Sequence, residues 1–376
     1  MPEENGEVQS IETLEDSWED IGKEVFPFTA VVGQETMKRA LLLNIINPDI
    51  GGVLIRGDKG TGKSIIVRGL REILPSIRTF EGCNHVCDPN VEKFWCEDCK
   101  ENKKGQILKE ESRDMVIVDI PLNISEDRLV GSIDVEKVLT EGKKAFEAGI
   151  LAGANRNVLY VDEINLLGDN IVDLLLDVAA MGVVTVEREG ISVSYYSKFI
   201  LIGSMNPEEG ELRPQLLDRF PLQAIVTGVD DVEERVKIIQ YTSEFKSDPK
   251  RFRRKFELEQ QKVRDSIREA KKQLPKVTTP EEIMELIAQI CIDFNVDGHR
   301  ADIIIEKAAR TNAAFEGHDR TTVEDVIVTS EMVLPHRMRK KPFEEEEFSS
   351  EMLRKLVKKY TTESGTVTTD NNEVAT

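Results

Sequence analysis

The sequence predicts an α/β protein with a three-layer core built on a parallel sheet, followed by an all-helical C-terminal domain. Between residues 25 and 227, short β-branched and aliphatic runs alternate with helical stretches, and each run is continuously apolar. Continuous apolar runs are typical of parallel strands that are covered on both faces. Beyond residue 228 the apolar residues recur at helical spacing instead, which indicates about five helices.

Length and charge exclude several classes of protein. The chain has 376 residues and a formal net charge of −20, and this length suits two or three domains. No apolar run reaches the roughly 20 residues that span a bilayer, so we expect no membrane insertion. The acidic first residues lack a secretory apolar segment, which favours a cytoplasmic location. The negative charge disfavours a general nucleic-acid binder, because phosphate backbones require clustered Lys and Arg.

Composition and periodicity divide the chain into segments. Residues 1–24 hold nine acidic side chains against one basic side chain, a composition typical of disorder. The predicted segments are an acidic disordered tail (1–24), an α/β nucleotide-binding core (25–227) with a four-cysteine insertion (81–105) and a hairpin (183–197), a helical domain (228–343), and a short helix with a polar tail (344–376). The four predicted buried strands are GGVLIRG (51–57), DMVIVDI (114–120), NVLYVDE (157–163) and KFILIGSMN (198–206).

The strongest motif follows the first predicted strand and begins a helix. It matches the phosphate-binding loop pattern G-x-x-x-x-G-K-[ST] in its required context. Its residues are Gly57, Asp58, Lys59, Gly60, Thr61, Gly62, Lys63 and Ser64. The glycines let backbone N–H groups turn towards phosphates, Lys63 would contact the β- and γ-phosphates, and Ser64 would ligate Mg²⁺. The motif therefore predicts ATP and Mg²⁺ as cofactors and a P-loop NTPase core.

Polar residues end the next two central strands. Asp162 and Glu163 follow an apolar run about 100 residues after the loop, at the edge where open α/β sheets bind ligands. Asp162 would hold Mg²⁺ directly or through water, and Glu163 would polarise the attacking water as general base. Asn206 ends the following strand, where its amide could hydrogen-bond the water or the γ-phosphate.

Three arginines have positions that suit phosphoryl transfer. Arg213 and Arg219 lie in LRPQLLDRF (212–220), shortly after the strand that ends in Asn206, where a neighbouring subunit could receive them. An arginine supplied to such a site stabilises charge that develops in the transition state. Arg300 begins a helix of the C-terminal domain and could reach the nucleotide from there. The ordinary alternative for each is a surface salt bridge or a solvated helix start.

Four cysteines lie within seventeen residues. Cys83 and Cys87 form one pair, and Cys96 and Cys99 form the other. Two short-range pairs suit tetrahedral thiolate ligation of zinc, because each pair supplies two adjacent ligands. An iron–sulfur cluster and four reduced thiols remain as alternatives, and His85 could replace one thiolate. We expect structural zinc, which would hold a loop together.

The residues quoted above resemble AAA+ ATPases, and more closely the motor-subunit family of the magnesium chelatases. The resemblance covers about residues 25–342 and rests on FPFTAVVGQETMKRALLLNIINPDIGGVLIRGDKGTGKS, VLYVDEINLLGDNIVDLLLDVAAMGVVTVEREG and ILIGSMNPEEGELRPQLLDRF. It implies the AAA+ form of the P-loop fold. It also implies that Val32 and Gly33 lie near the adenine, that Arg219 is an arginine finger, that Arg300 is a second sensor, and that Arg213 is a second arginine near the subunit interface.

The resemblance also implies partners. It implies a homo-oligomeric ring, expected to be a hexamer, that hydrolyses ATP between neighbours. The ring would drive insertion of magnesium, or of cobalt or nickel, into a tetrapyrrole on a separate large subunit. A second AAA+ subunit with a metal-adhesion domain would assist it. This chain lacks a DxSxS-type metal-adhesion sequence, so it is similar to the small motor subunit.

The sequence bears on two other functions. A remodelling ATPase of the same clade could act on a protein partner without tetrapyrrole chemistry, and this is the alternative that the sequence leaves open. A nucleic-acid motor would need several Lys or Arg at the tip of the predicted hairpin. That tip contains Glu187, Arg188 and Glu189, so we expect no nucleic-acid partner.

Overall fold

The computed structural model describes most of the chain. The described residues are 24–103, 108–133, 146–188, 191–296, 298–338 and 348–363. Almost all of the predicted acidic tail, the polar end beyond residue 363 and the hairpin tip at residues 189–190 lie outside the described residues. The same holds for residues 104–105 of the predicted cysteine insertion.

Eleven strands are described. They are β1 Gly52–Gly57, β2 Ser76–Phe80, β3 Glu110–Asp114, β4 Ile117–Asp119, β5 Gly131–Ile133, β6 Phe146–Ala148, β7 Val158–Val161, β8 Val183–Arg188, β9 Ile191–Tyr196, β10 Ile200–Met205 and β11 Leu222–Val226. The described helices are α1 Glu35–Ile46, α2 Lys63–Gly69, α3 Glu97–Lys103, α4 Glu126–Val130, α5 Ile150–Ala154, α6 Asp169–Met181, α7 Pro214–Leu217, α8 Val232–Ser247, α9 Pro249–Gln273, α10 Glu281–Asp293, α11 Arg300–Glu316, α12 Val323–Val333 and α13 Ser350–Glu363.

The central sheet has five parallel strands in the order β11-β1-β10-β7-β4. All the strands run in one direction, so their amino ends lie at one edge and their carboxyl ends at the opposite edge. A strand of six residues such as β1 spans about 20 Å between these edges. The parallel sheet and the helical C-terminal region confirm the predicted fold class.

Strand β11 was missing from the prediction. It contains the buried polar side chain Gln223, and its Ile225 is exposed at the edge of the sheet. A polar residue inside a five-residue run interrupts the apolar signal on which the other four strands were recognised. The pairing of Val53 to Gly57 with Leu222 to Val226 makes this segment a strand.

Both faces of the sheet are covered by helices, which makes three layers. Val158 and Tyr160 of β7 belong to one buried cluster, together with side chains of α1 and of the C-terminal helices α9 to α12. Leu159 and Val161 belong to a second cluster, together with side chains of α6. Successive side chains of a strand point to opposite faces, so a strand covered on both faces must be apolar throughout. This explains the continuous apolar runs.

The helices beyond residue 228 pack partly on the sheet layer. Helix α9 begins at Pro249, after the N-cap Asp248, whose side chain accepts a hydrogen bond from the Arg251 amide. Its Ile267 and Ala270 are fully buried in the same cluster as α1. Among the described residues, no helix combines the length and apolar character that a membrane span requires.

Candidate nucleotide site and arginine cleft

The phosphate-loop motif lies between the carboxyl end of β1 and the start of α2. Gly60 and Gly62 have φ angles of +84° and +83°, in the left-handed region that glycine enters at no steric cost. Gly57 is required for another reason, since a Cβ there would collide with the Val226 carbonyl oxygen of β11. The loop therefore has the backbone freedom that its predicted role needs.

Lys63 folds over this loop. Its Nζ donates hydrogen bonds to the carbonyl oxygens of Gly57, at 2.5 Å, and Asp58, at 2.8 Å. Burial lowers the pKa of the Lys63 ammonium, and the negative charges of Asp162 and Asp58 oppose that effect. The ammonium is thus held at the loop, as the motif predicts.

The loop and strand β7 meet at Ser64. Its hydroxyl lies 3.2 Å and 3.3 Å from the two carboxylate oxygens of Asp162. A hydroxyl and a carboxylate in contact are the donor set that P-loop proteins offer to Mg²⁺. The described residues therefore fit the predicted metal, with Ser64 and Asp162 as the groups that would hold it.

Asp162 is the centre of a small hydrogen-bond network that sequence reasoning missed. Tyr160 Oη donates to Asp162 Oδ1 at 2.8 Å, and Ser204 Oγ donates to the same oxygen at 2.5 Å. Burial disfavours the charged form of Asp162, but the hydrogen bonds from Ser204, Tyr160 and Ser64 outweigh it and hold the pKa below its usual value. Asp162 is therefore kept ionised. The available signal for Ser204 was a small polar residue within a buried strand.

Ser204 also connects to Glu163. Its Oγ accepts a hydrogen bond from the Glu163 amide at 3.1 Å. Glu163 has a φ of +55°, which is uncommon for a residue with a side chain and is found at functional sites. The chain therefore turns sharply directly after β7. Because of this turn, the backbone at Glu163 does not continue in the direction of the strand that ends before Asp162.

Asn206 lies at the carboxyl end of β10 and is buried. Its side-chain oxygen accepts a hydrogen bond from the Glu208 amide at 3.2 Å, and its carbonyl oxygen accepts one from Asn165 at 3.3 Å. Strand β10 pairs with β7, so Asn206 and Glu163 end neighbouring strands. Both lie at the same edge of the sheet as the phosphate loop.

The turn that contains Val32 and Gly33 packs against the segment after β11. Gly33 and Gln34 have φ angles of +67° and +59°, and Gln34 Nε2 donates to the Thr227 carbonyl at 2.8 Å. Since β11 pairs with β1, this turn also lies near the carboxyl edge. Its position is compatible with the adenine contact that the resemblance implies.

The three predicted arginines do not lie together. Arg213 pairs with Asp169 at the beginning of α6. Arg219 pairs with Asp177 at 2.5 Å and with Asp173 at 3.4 Å. Asp173 and Asp177 follow Asp169 by four and eight residues, which is about 6 and 12 Å along a helix. Arg213 therefore lies closer to the start of α6 than Arg219 does, and it does not line the cavity described below.

Arg300 lies beside Arg219. Its Nη1 donates to Asp218 Oδ2 at 2.7 Å, and Asp218 directly precedes Arg219. This loop leads into the amino end of β11, whereas the phosphate loop follows the carboxyl end of β1. Arg300 is thus at the opposite edge of the sheet from the chain's own phosphate loop. The expectation that it would reach the nucleotide from the C-terminal domain does not describe this chain's own site.

A buried arginine, Arg337, fixes the loop that carries Arg219. Its guanidinium donates to the carbonyl oxygens of Asp218 at 2.8 Å, Phe220 at 2.7 Å and Pro221 at 2.9 Å. Burial lowers the pKa of Arg337 to about 10, against the effect of the Asp218 carboxylate. No local sequence pattern marked this residue, because these three carbonyl oxygens lie more than 100 residues away in the sequence.

A cavity of about 1240 Å³ opens at the amino edge of the sheet, and we call it the arginine cleft. Strand starts, α6, α11 and the four-cysteine segment contribute to its wall, with Gly51, Asp88, Phe94, Lys198, Arg219 and Arg300 among the lining residues. Six lining side chains are Lys or Arg and three are Asp. The cleft therefore has the charge to receive an anionic group.

The four predicted cysteines meet at one point. The Sγ atoms of Cys83, Cys87, Cys96 and Cys99 all lie within 4.8 Å of one another, and none forms a disulfide. His85 is not part of this group, because its ring packs edge-on against Tyr195, with 5.4 Å between the ring centroids. The structure therefore removes the alternative in which His85 replaces a thiolate.

Comparisons with known proteins show the class of protein. The model of the AAA domain (dynein-related subfamily) matches residues 106–220, and the model of the AAA lid domain matches residues 284–356. The crystal structure of a putative ATPase from Cytophaga hutchinsonii, at 17% identity and a TM-score of 0.57, covers 93% of this chain and 94% of its own. At that identity it shows the fold alone. Together with the phosphate loop, these matches define an AAA+ ATPase.

Closer relatives identify the family. A magnesium-chelatase subunit ChlI homolog of Methanocaldococcus jannaschii is 50% identical over 336 residues, which are 89% of this chain and 92% of the relative. The chloroplastic ChlI of Nicotiana tabacum is 49% identical over 327 residues, 87% of this chain and 77% of the relative. The chain belongs to the ChlI family of magnesium-chelatase subunits. The predicted resemblance is thereby confirmed.

A solved complex includes a similar chain. It is a model of magnesium-chelatase subunits BchI and BchD based on a cryo-EM reconstruction at 7.5 Å. The matched chain is 45% identical, with a TM-score of 0.50, and the match covers 85% of this chain and 97% of that chain.

Proposed function

We propose that this chain is the ATP-hydrolysing motor subunit of a metal chelatase, and that it drives insertion of a divalent metal into a tetrapyrrole. Membership of the ChlI family supports the chelatase role. The contact between Ser64 and Asp162 supports binding of MgATP at the phosphate loop. Magnesium is the metal that the relatives' names imply, and cobalt and nickel are alternatives that the sequence leaves open.

The observation that carries the mechanism is the separation of two groups of residues. Lys63, Ser64, Asp162 and Glu163 follow the carboxyl ends of β1 and β7, whereas Arg219 precedes the amino end of β11 and lines the arginine cleft. A phosphoryl-transfer site needs both a phosphate cradle and a cation that stabilises the transition state. One subunit would therefore supply the cradle, and its neighbour would supply Arg219.

Each residue of the cradle has a role that follows from its position. Lys63 would bind the β- and γ-phosphates, and Ser64 and Asp162 would hold Mg²⁺, which neutralises phosphate charge when it is bound. Glu163 would accept a proton from the attacking water. Asn206, at the end of the adjacent strand, would orient that water or the γ-phosphate.

Charge supports the trans arrangement. Arg219 is paired with Asp177 and Asp173, but these side chains are about 40–50% exposed, and exposed pairs contribute only about 0–1 kcal/mol. Exchange of these partners for a triphosphate would therefore cost little. Arg300 lies in the same cleft, so we propose that it also acts on the neighbour's nucleotide. Arg213 lies apart from the cleft and would contact the neighbour at another point.

A repeated head-to-tail contact of this kind generates a ring if its rotation closes. We propose a homo-oligomeric ring, with a hexamer as the expected size. The core (25–227) and the helical domain (228–343) would both contribute to each interface. We further propose a second AAA+ subunit with a metal-adhesion domain and a large tetrapyrrole-binding subunit as partners; the BchI–BchD complex supports a second chelatase subunit, and the tetrapyrrole-binding subunit is what the resemblance implies. A cytoplasmic location stays a prediction from the sequence.

We also propose a structural metal at the four cysteines. Four thiolates at these separations suit Zn²⁺, which prefers four-coordinate sulfur sites. An iron–sulfur cluster is the alternative of the same ligand chemistry.

Reconstitution tests the function. Purified chain, combined with the large tetrapyrrole-binding subunit and the second AAA+ subunit of the same organism, should insert Mg²⁺ into a porphyrin in an ATP-dependent reaction followed by fluorescence. Lys63→Ala should abolish insertion. Co-purification of a protein partner without any tetrapyrrole-binding subunit, together with ATPase activity that this protein stimulates, would favour the remodelling alternative.

A further inference from the structure

We propose that the four-cysteine segment, residues 80–99, is a zinc-stabilised wall of the arginine cleft, and that its zinc controls hydrolysis at the neighbouring subunit's nucleotide. We call this segment the cysteine module. The proposal rests on the proposed function, because the cleft is taken to receive the neighbour. The ligand of the cysteine module would be a single divalent cation that prefers coordination by four thiolates.

The sulfur geometry fits a tetrahedral ion. Cys83 Sγ and Cys99 Sγ lie 3.5 Å apart, and the sulfur atoms of a zinc tetrathiolate with bonds of about 2.3 Å are about 3.8 Å apart. The Cys96 amide donates a hydrogen bond to Cys87 Sγ at 3.1 Å. An amide directed at sulfur favours the thiolate, which is the form that binds metals.

The module has too little apolar interior to hold its own shape. Its separate cluster contains only four buried side chains, from Phe80, Cys87, Trp95 and Cys99. Two of these are themselves ligands. Small segments with so small a core require a metal or another covalent constraint. The energy of metal binding would therefore be the folding energy of the module.

The module is joined to the sheet layer by Asn155 and Arg156, just before β7. Asn155 Nδ2 donates to the His85 carbonyl at 2.7 Å, and Arg156 Nη1 donates to the Val86 carbonyl at 3.4 Å. Arg156 also pairs with Asp88 at 3.1 Å. These contacts are to backbone atoms and to Asp88, all of which depend on the path of the chain between the ligands. Release of the metal would therefore loosen them.

The part of the module between the two cysteine pairs faces the cleft. Asp88, Val91 and Phe94 line the same cavity as Arg219 and Arg300. Phe94 also packs against Tyr196 of β9, with 4.4 Å between ring centroids, yet 42% of it remains exposed. The phosphate loop lies at the opposite edge of the sheet. Loss of zinc should therefore impair the action of the cleft on the neighbouring subunit's nucleotide. Nucleotide binding by the same subunit should be retained.

Elemental analysis of the purified full-length chain gives the first test. We expect one zinc per chain, and loss of it in Cys99→Ser. Absence of metal above background, or iron with visible absorbance in place of zinc, would overturn the proposal. Cys99→Ser should still bind a fluorescent ATP analogue, with an ATPase rate lower by about tenfold to a hundredfold, the cost of misplacing a contributing group by about 1 Å.

Mixing of variants separates the two halves of the site. Cys99→Ser subunits keep an intact phosphate loop, and Lys63→Ala subunits keep an intact cleft, so the mixture should regain ATPase activity. A mixture of Cys99→Ser and Arg219→Ala subunits should regain no ATPase activity, because the arginine cleft is impaired in both kinds of subunit. Full activity of Cys99→Ser alone would overturn the proposal. Failure of Arg219→Ala to be rescued by Lys63→Ala would instead contradict the trans mechanism itself.

If Cys99→Ser does not fold, the role of the module can be tested with a variant that keeps all four cysteines. Phe94→Ser should retain zinc and nucleotide binding but lower the ATPase rate, and Lys63→Ala subunits should rescue it. The matched control is Leu258→Ser, which removes an exposed apolar side chain of α9 outside the cleft and should leave the rate unchanged. Equal ATPase rates for Phe94→Ser and the native chain would show that the cysteine module does not contribute to hydrolysis through the cleft.

Discussion

The guanidinium of Arg300 and the carboxylate of Asp218 form an ion pair, with 2.7 Å between Nη1 and Oδ2. The pair joins the start of α11 to the loop that carries Arg219. It therefore brings two arginines from distant parts of the chain to one cleft, at the edge of the sheet opposite the phosphate loop. Among the described residues, these two arginines therefore lie away from the chain's own phosphate loop, as expected if they act on a neighbour's nucleotide.

Glu163→Gln should separate binding from turnover. The amide keeps the size of the side chain but cannot accept the proton of the attacking water. We expect ATP affinity within a few-fold of the native chain and an ATPase rate lower by about 100- to 10,000-fold. Nucleotide titration and a steady-state phosphate assay measure the two quantities. An unchanged rate would remove Glu163 from the role of general base.

Ser204→Ala should affect the ionisation of Asp162. Burial of Asp162 raises its pKa, and the hydrogen bond from Ser204 is one of the contacts that lower it below its usual value. Without that contact the carboxylate becomes easier to protonate, so the acid limb of the ATPase pH profile should move to higher pH. The rate at neutral pH should fall about tenfold to a hundredfold, since a hydrogen bond to a charged group contributes about 1.5–3 kcal/mol.

Ser112→Ala is the control for this change, since Ser112 is exposed on β3. Its pH profile should match that of the native chain. If Ser204→Ala lowers the rate equally at every pH, then Ser204 supports the shape of the site but does not tune Asp162.

Arg337→Met should destabilise the fold around the cleft. The substitution keeps an apolar stem but removes the side-chain donor of the buried Pro221 carbonyl oxygen, whereas the Asp218 and Phe220 carbonyl oxygens keep contacts with Arg300 and His336. An unsatisfied buried acceptor costs about 1–3 kcal/mol, so we expect a loss of about that size in the free energy of unfolding, measured by denaturant titration. Arg337→Lys keeps the charge but not the fork of donors, and should recover only part of the loss. Native stability in Arg337→Met would contradict this account.

His336 should make the fold sensitive to acid. Burial, followed by the nearby Arg337 charge, lowers its pKa to about 3, although a contact with the Phe220 carbonyl opposes this. The unfolded chain binds this proton with an ordinary pKa near 6.5. Between these two values the unfolded state holds more protons, so stability falls as the pH decreases from about 6.5 towards 3.

At pH 5, the proton that His336 binds only in the unfolded chain should lower the free energy of unfolding by about 2 kcal/mol. His336→Gln cannot take up the proton, so its loss of unfolding free energy between pH 7 and pH 5 should be smaller by about that amount. Denaturant titrations of both chains at the two pH values measure the difference. Equal losses would show that His336 is not the group responsible.

The sequence predicted those parts of the molecule that depend on local pattern. The phosphate loop, Asp162 and Glu163 could be recognised because the chemistry requires fixed spacings next to apolar strands. Ser204 and Tyr160 were missed because a hydroxyl in a strand has no signature until the strands are paired. The place of Arg300 depends on how the C-terminal helices pack on the sheet layer. That packing is set by side chains such as Ile267 and Ile305, spread over many elements, and no motif records it.

The most direct test of the account is a mixing experiment with Arg219→Ala and Lys63→Ala. Alone, each variant should be inactive, since an arginine finger contributes about 10³- to 10⁵-fold to the rate. In an equal mixture, about a quarter of the head-to-tail interfaces pair an intact phosphate loop with an intact arginine. We therefore predict that ATPase activity returns on mixing, and that Lys63→Ala mixed with Glu163→Gln stays inactive. No recovery, or a full rate for Arg219→Ala alone, would contradict a site shared between neighbouring subunits.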